Sequence, residues 1–130
     1  MYQAQTHGVR VTVAPSFMDA ESSHVQGRYF WAYAIEIVNL STQTVQLMTR
    51  HWFITDGRGD THEVRGEGVV GKQPVLRPGE SFNYTSGCPL TTPDGSMRGF
   101  YAMQDENGSV FDVEVPLFPL DSPYVKKVLH

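Results

Sequence analysis

Gly66-Glu67-Gly68-Val69-Val70-Gly71 carries the spacing GxGxxG and runs straight into Lys72. Successive backbone N–H groups in a glycine-rich loop can converge into a nest that holds an anion. Arg65, Lys72 and Arg77 stand close enough in sequence to add positive charge, which would suit phosphate or pyrophosphate. The dinucleotide form of this spacing needs a strand before it and a helix after it, because the helix N-terminus meets the pyrophosphate. Here Gln73-Pro74 follows, and a proline disfavours helical geometry in the residue before it. A dinucleotide-binding unit is therefore rejected. Two readings of the loop remain. Gly66, Gly68 and Gly71, with Arg65 and Lys72, form an anion site, or the glycines simply permit positive φ and close packing where a strand crosses between sheets.

A second cluster lies just upstream. Asp56, Asp60, His62 and Glu63 surround one turn. Carboxylate oxygens suit magnesium and an imidazole suits cobalt. The turn Asp56-Gly57-Arg58-Gly59-Asp60 is not an EF-hand loop, however, and Arg58 sits among the would-be ligands. A solvated acidic turn explains the same residues.

Nucleophiles are scarce. Cys88 is the one cysteine, within Ser86-Gly87-Cys88-Pro89, a stretch that reads as exposed and turn-like. A catalytic thiol needs a base and an activating environment, and no histidine is placed beside it by sequence. Ser86 lacks a nucleophile elbow. The five histidines show no HExxH or paired spacing. No catalytic constellation emerges, so a non-enzymatic protein is expected. An interaction surface would draw on aromatic, methionine and arginine anchors. Trp52, Arg58, Leu90 and Met97 are the candidates, although Trp52 and Met97 could equally belong to the core.

The elements that must position these residues are strands. Side chains alternate with period two, and no long stretch has helical periodicity. Val9, Val11 and Val13 alternate with Arg10 and Thr12. Tyr29, Trp31, Tyr33, Ile35 and Ile37 form the heaviest one-sided row and predict a central strand. Further strands are expected over 45–55, 61–65, around Phe82 and Tyr84, over 97–105 and over 110–115. Arg77-Pro78-Gly79-Glu80 fits a type II turn. A three-residue loop Glu106-Asn107-Gly108, with a left-handed glycine, pairs Met103 with Phe111 and Tyr101 with Val113. Residues 116–130, with Pro116, Pro119 and Pro123, read as an irregular tail anchored by Leu117, Phe118 and Leu120. About seven short strands make an all-β, two-sheet antiparallel sandwich. Its likeness is to immunoglobulin-type folds of the disulfide-free, fibronectin type III sort.

Bulk properties narrow the function. With 130 residues, 40% of them hydrophobic and 18% charged, the chain suits one globular domain spanning 1–130. Its formal charge of -4 argues against nucleic-acid binding, which needs clustered positive charge. A lone cysteine and the absence of a basic, apolar leader point to the cytoplasm. No apolar run is long enough to span a bilayer, so no membrane association is expected.

The segment Gly66 to Met103 runs through Gly68-Val69-Val70-Gly71, Gln73-Pro74, Arg77-Pro78-Gly79-Glu80, Tyr84-Thr85-Ser86-Gly87-Cys88-Pro89-Leu90 and Met97-Arg98-Gly99. It resembles the hallmark segment of ApaG proteins. Arg50-His51-Trp52 and the Asp56 to Asp60 turn resemble the family as well, and the likeness covers nearly the whole chain. The resemblance implies a fibronectin type III-like sandwich and a bacterial link to cobalt and magnesium tolerance or efflux. It also implies kinship with domains in a eukaryotic F-box protein and a DNA-polymerase-interacting protein, where the domain looks like a protein-binding module. The resulting expectation is a module with an unidentified protein partner, acting as a monomer or an edge-strand dimer. The alternative is a binder of a small phosphate-bearing ligand or nucleotide. No cofactor is expected beyond a weakly held divalent cation or pyrophosphate.

Overall fold

The computed structural model describes residues 1–125. Two antiparallel sheets face each other across one apolar core. The first has the order β1-β2-β3-β7, and the second β5-β4-β8-β9 with the short β6 also on β4. The strands are β1 (Tyr2–Thr6), β2 (Val9–Phe17), β3 (Tyr29–Asn39), β4 (Val45–Asp56), β5 (Thr61–Glu67), β6 (Val75–Leu76), β7 (Ser81–Leu90), β8 (Gly95–Asp105) and β9 (Val110–Leu120). One 3-10 turn, Asp19–Glu21, interrupts them. No helix among the described residues is long and apolar enough to cross a membrane.

The period-two rows become the core. Val9, Val11, Val13 and the row from Tyr29 to Ile37 are 0–6% exposed. Strand β3 lies between β2 and β7, as its heavy row suggests. The β8–β9 hairpin takes the expected register, Met103 opposite Phe111 and Tyr101 opposite Val113, with Gly108 at φ 79°. Gly79 sits at φ 86° and the Glu80 N–H donates to the Arg77 carbonyl, so that turn is also as read.

Three expectations are corrected. The stretch from Pro116 is not irregular until after Leu120. Strand β9 runs through both prolines, because β9 is an edge strand and a bulge opposite Arg98 absorbs Pro116 and Leu117. The bulge also turns Leu117 outward, 61% exposed, while Phe118 and Leu120 stay buried as anchors. Ser86-Gly87-Cys88-Pro89 is not a turn: β7 continues through it and Cys88 is 2% exposed. Finally, β1 was not anticipated. It is joined to β2 by His7 and Gly8, both at positive φ, a hairpin turn written without the usual Asn-Gly. The last part of the expected tail, residues 126–130, lies outside the described residues.

The sandwich closes unevenly. On one side β1 and β2 pack against β9, and the Glu114 N–H donates to the Thr6 hydroxyl. On the other side β7 and β5 remain apart, and the gap between them is a cleft.

Candidate functional site

The cleft is built by a phase shift in β4. Val45 and Leu47 point inward, but a bulge between Leu47 and Thr49 changes the alternation. Beyond it Arg50, Trp52 and Ile54 take the inward positions, with Gly66, Val64 and His62 as their β5 partners. From the first sheet, Tyr33, Tyr84, Ser86 and Cys88 face them. The cleft has a volume of about 540 Å³, and no Asp or Glu lines it. Trp52 and Met97, 4% and 1% exposed, form its floor. Val64 and Val70, 40% and 54% exposed, form an apolar lip, with Leu90 at the far end.

Arg50 is the polar centre. Its Nη1 donates to the carbonyls of Glu67 and Gly68, both at 2.9 Å. Among the described residues it has no carboxylate partner. The guanidinium lies against Gly66, where a Cβ would stand 2.7 Å from Nη2. Tyr84 on the cleft wall shares a hydrogen bond of 2.5 Å with the hydroxyl of Tyr101, which is buried in the core. Burial pushes both phenols above the ordinary tyrosine value. Burial likewise pushes the Cys88 thiol up to about 11, so at neutral pH it is a protonated, apolar wall group rather than a nucleophile.

The glycine loop is now seen as a tight turn. Val69 and Lys72 exchange backbone hydrogen bonds, 2.8 and 2.9 Å, and the Gly68 N–H donates to Met48. Gly66 belongs to β5 rather than to the loop. Among the described residues the N–H groups of Val70 and Gly71 remain without a partner. Gly68, Val70 and Gly71 all have positive φ. Positive φ at a β-branched residue such as Val70 is strained. Lys72 is exposed near this turn, whereas Arg65 lies on the outer face of β5, where its Nε meets His51 at 3.3 Å. The structure thus keeps Gly68, Gly71 and Lys72 together and places Gly66 and Arg65 apart from them.

The four acidic-turn residues are dispersed. Asp56 Oδ1 accepts from the N–H groups of Arg58 and Asp60, at 2.9 and 3.1 Å, and so organises its own turn. Burial works to raise the Asp56 carboxyl, but those two N–H groups and the nearby positive charge, Arg58 foremost, together outweigh it and hold the group below the usual value. His62 and Glu63 are neighbours on a strand and point to opposite faces: His62 lines the cleft, while Glu63 reaches His51 at 3.1 Å on the outer face. Among the described residues no three His, Cys, Asp or Glu side chains gather as metal ligands would.

Of the four proposed anchors, Trp52, Leu90 and Met97 meet in the cleft. Arg58 stays on the exposed turn, its Nη2 on the Thr91 hydroxyl at 3.0 Å. Sequence reading missed Arg50, Val64 and the two facing tyrosines as one site. The available signal was a cation in the inward row Arg50, Trp52, Ile54, but its direction depends on the bulge.

Comparison with known proteins places the chain. The ApaG domain family matches residues 19–105. Protein ApaG of Methylorubrum populi is 60% identical over 130 residues, covering all of both chains. Protein ApaG of a Bradyrhizobium strain is 55% identical over the same full length. A crystal structure from Bordetella pertussis, described as an ApaA protein, superposes with a TM-score of 0.87 at 44% identity, covering 96% of this chain and 100% of that one.

Proposed function

The chain belongs to the ApaG domain family, and we propose that it is a non-catalytic binding module whose partner protein docks in the cleft between β7 and β5. One observation carries this reading. The sandwich leaves an acid-free, aromatic-floored cleft between β7 and β5, with exposed Val64 and Val70 at its mouth. Exposed apolar residues rimming a concave apolar surface are characteristic of interaction sites. The thiol inside is protonated, and among the described residues its one hydrogen bond runs to the Pro89 carbonyl, which supports binding rather than conversion. The link to cobalt and magnesium then runs through the partner.

A photo-crosslinking amino acid in place of Val64 tests the assignment in cells. It should capture a discrete protein partner, whereas the same probe in place of Leu117, on the far edge, should not. Capture from the Leu117 position alone would move the interface away from the cleft.

The anion reading has a narrower basis. It rests on the two N–H groups of Val70 and Gly71 with Lys72 nearby. Pyrophosphate titration that shifts those two amides would support it.

A further inference from the structure

The edge of β7 suggests how the cleft holds its partner. The Asn39 N–H donates to Glu80 and the Leu40 N–H to Gly8. Odd-numbered residues of β3 therefore aim their backbone groups at β7, and even-numbered ones at β2. With Tyr33 opposite Ser86, the ladder consumes the backbone groups of Phe82, Tyr84, Ser86 and Cys88. Those of Asn83, Thr85 and Gly87 point away from the sheet, all three residues are exposed, and they have no backbone partner among the described residues.

Sheet edges of this kind are normally protected by charge, proline or a covering element. The outer edge of β5 carries Glu63, Arg65 and Glu67, and β9 carries Asp112, Glu114 and two prolines. Strand β7 has no charged residue in its ten, and Pro89 stands only near its end. Strand β1 likewise lacks charge and proline, but β9 packs against it; the edge left uncovered is the one bordering the cleft.

Resting on the cleft reading, we propose that β7 accepts an extended peptide segment as an added strand, with an acidic side chain of that segment meeting Arg50. A strand paired to β7 would place its alternate side chains beside Tyr84, Ser86 and Cys88, over the uncovered inner face of β5. There an apolar side chain meets Val64 and Val70. A carboxylate meets the guanidinium, which now satisfies itself on two backbone carbonyls only. Charge complementarity selects this occupant over a second copy of the chain. Pairing β7 with β7 would bring two acid-free clefts together and supply no carboxylate.

The test selects short linear peptides from a random library against the full chain. The chosen peptide is then remade with each amide N-methylated in turn. Strand addition predicts an alternating pattern: methylation of every second amide weakens binding about tenfold, and methylation of the intervening ones does not. Replacing the peptide's aspartate or glutamate by its amide should cost a similar factor, and should cost nothing further in Arg50→Gln. Val64→Asp, at an exposed position, should abolish binding with the melting temperature unchanged. A flat methylation pattern with retained sensitivity to Val64→Asp would overturn the added strand and leave the cleft reading standing. Insensitivity to Val64→Asp would overturn both. Failure to select any peptide, or a dimer of the chain disrupted by Thr85→Lys, would also overturn the inference.

Discussion

Gly66 faces Arg50 across the β4–β5 ladder, and the space its missing side chain leaves is filled by the guanidinium. This makes Gly66 a seat for a cation rather than a flexible hinge. In that position Arg50 reaches the Glu67 and Gly68 carbonyls and so ties the glycine turn to β4. Gly66→Ala pushes the guanidinium off its seat. The expected loss of stability is about 0.5–1.5 kcal/mol, the worth of a hydrogen bond. Affinity for an acidic peptide should fall more than that of an uncharged one, since the cation moves. Thermal melts and peptide titrations measure the two effects separately.

The turn beyond it discriminates between its residues. A Cβ on Gly68 would lie 2.2 Å from the Lys72 carbonyl oxygen, at φ 61°. A Cβ on Gly71 would meet nothing within 4 Å. Gly71→Ala should cost only the left-handed conformational penalty, about 1–2 kcal/mol, and Gly68→Ala clearly more. Val70→Asn should stabilise the protein, because asparagine tolerates positive φ, while weakening partner binding through loss of the apolar lip. Equilibrium urea unfolding ranks the three variants; a destabilised Val70→Asn would contradict the assignment of strain to Val70.

High pH acts on the phenols. Tyr33, Tyr84 and Tyr101 are all raised, chiefly by burial, above the ordinary 10.0. A group whose folded value is raised stabilises fully below its unfolded value and loses that contribution as pH rises through the folded one. Stability should therefore hold to near pH 10 and decline steadily above it. Tyr84→Phe should lower neutral-pH stability by about 1–3 kcal/mol, by stranding the Tyr101 hydroxyl, yet flatten the alkaline decline. Urea midpoints measured across the alkaline range supply the check.

Low pH acts on Asp56. Its folded value is depressed, so its contribution is present above the ordinary 3.8 and disappears as pH falls through the lower folded value. Asp56→Asn should lower stability at neutral pH and remove part of the acid-side slope. An unchanged acid slope would show that the Asp56 turn does not sense its protonation.

The sequence shows the sandwich more clearly than the site, for a physical reason. Alternation survives in any strand buried on one face, so the Tyr29 to Ile37 row and the Met103–Phe111 register were legible. So was the turn Arg77 to Glu80, whose proline and glycine serve specific backbone angles. Bulges leave no such mark. The shift near Met48 decides that Arg50 points inward, and the one at Pro116 decides that Leu117 points out. Side-by-side residues such as His62 and Glu63 looked like one cluster, yet the pleat sends them to opposite faces. Cys88 looked exposed because glycine and proline flank it, but neither breaks an edge strand at those positions. The cleft itself arises from where each sheet stops, which is a property of two sheets together and of no local segment.

The most direct test maps the backbone amides of the full chain while a selected peptide is titrated in. Binding in the cleft predicts chemical-shift changes that converge on Val64, Val70, Thr85 and Gly87. Changes confined to the outer face around His51, Phe53 and Phe100, with the β7 and β5 amides unmoved, would contradict it.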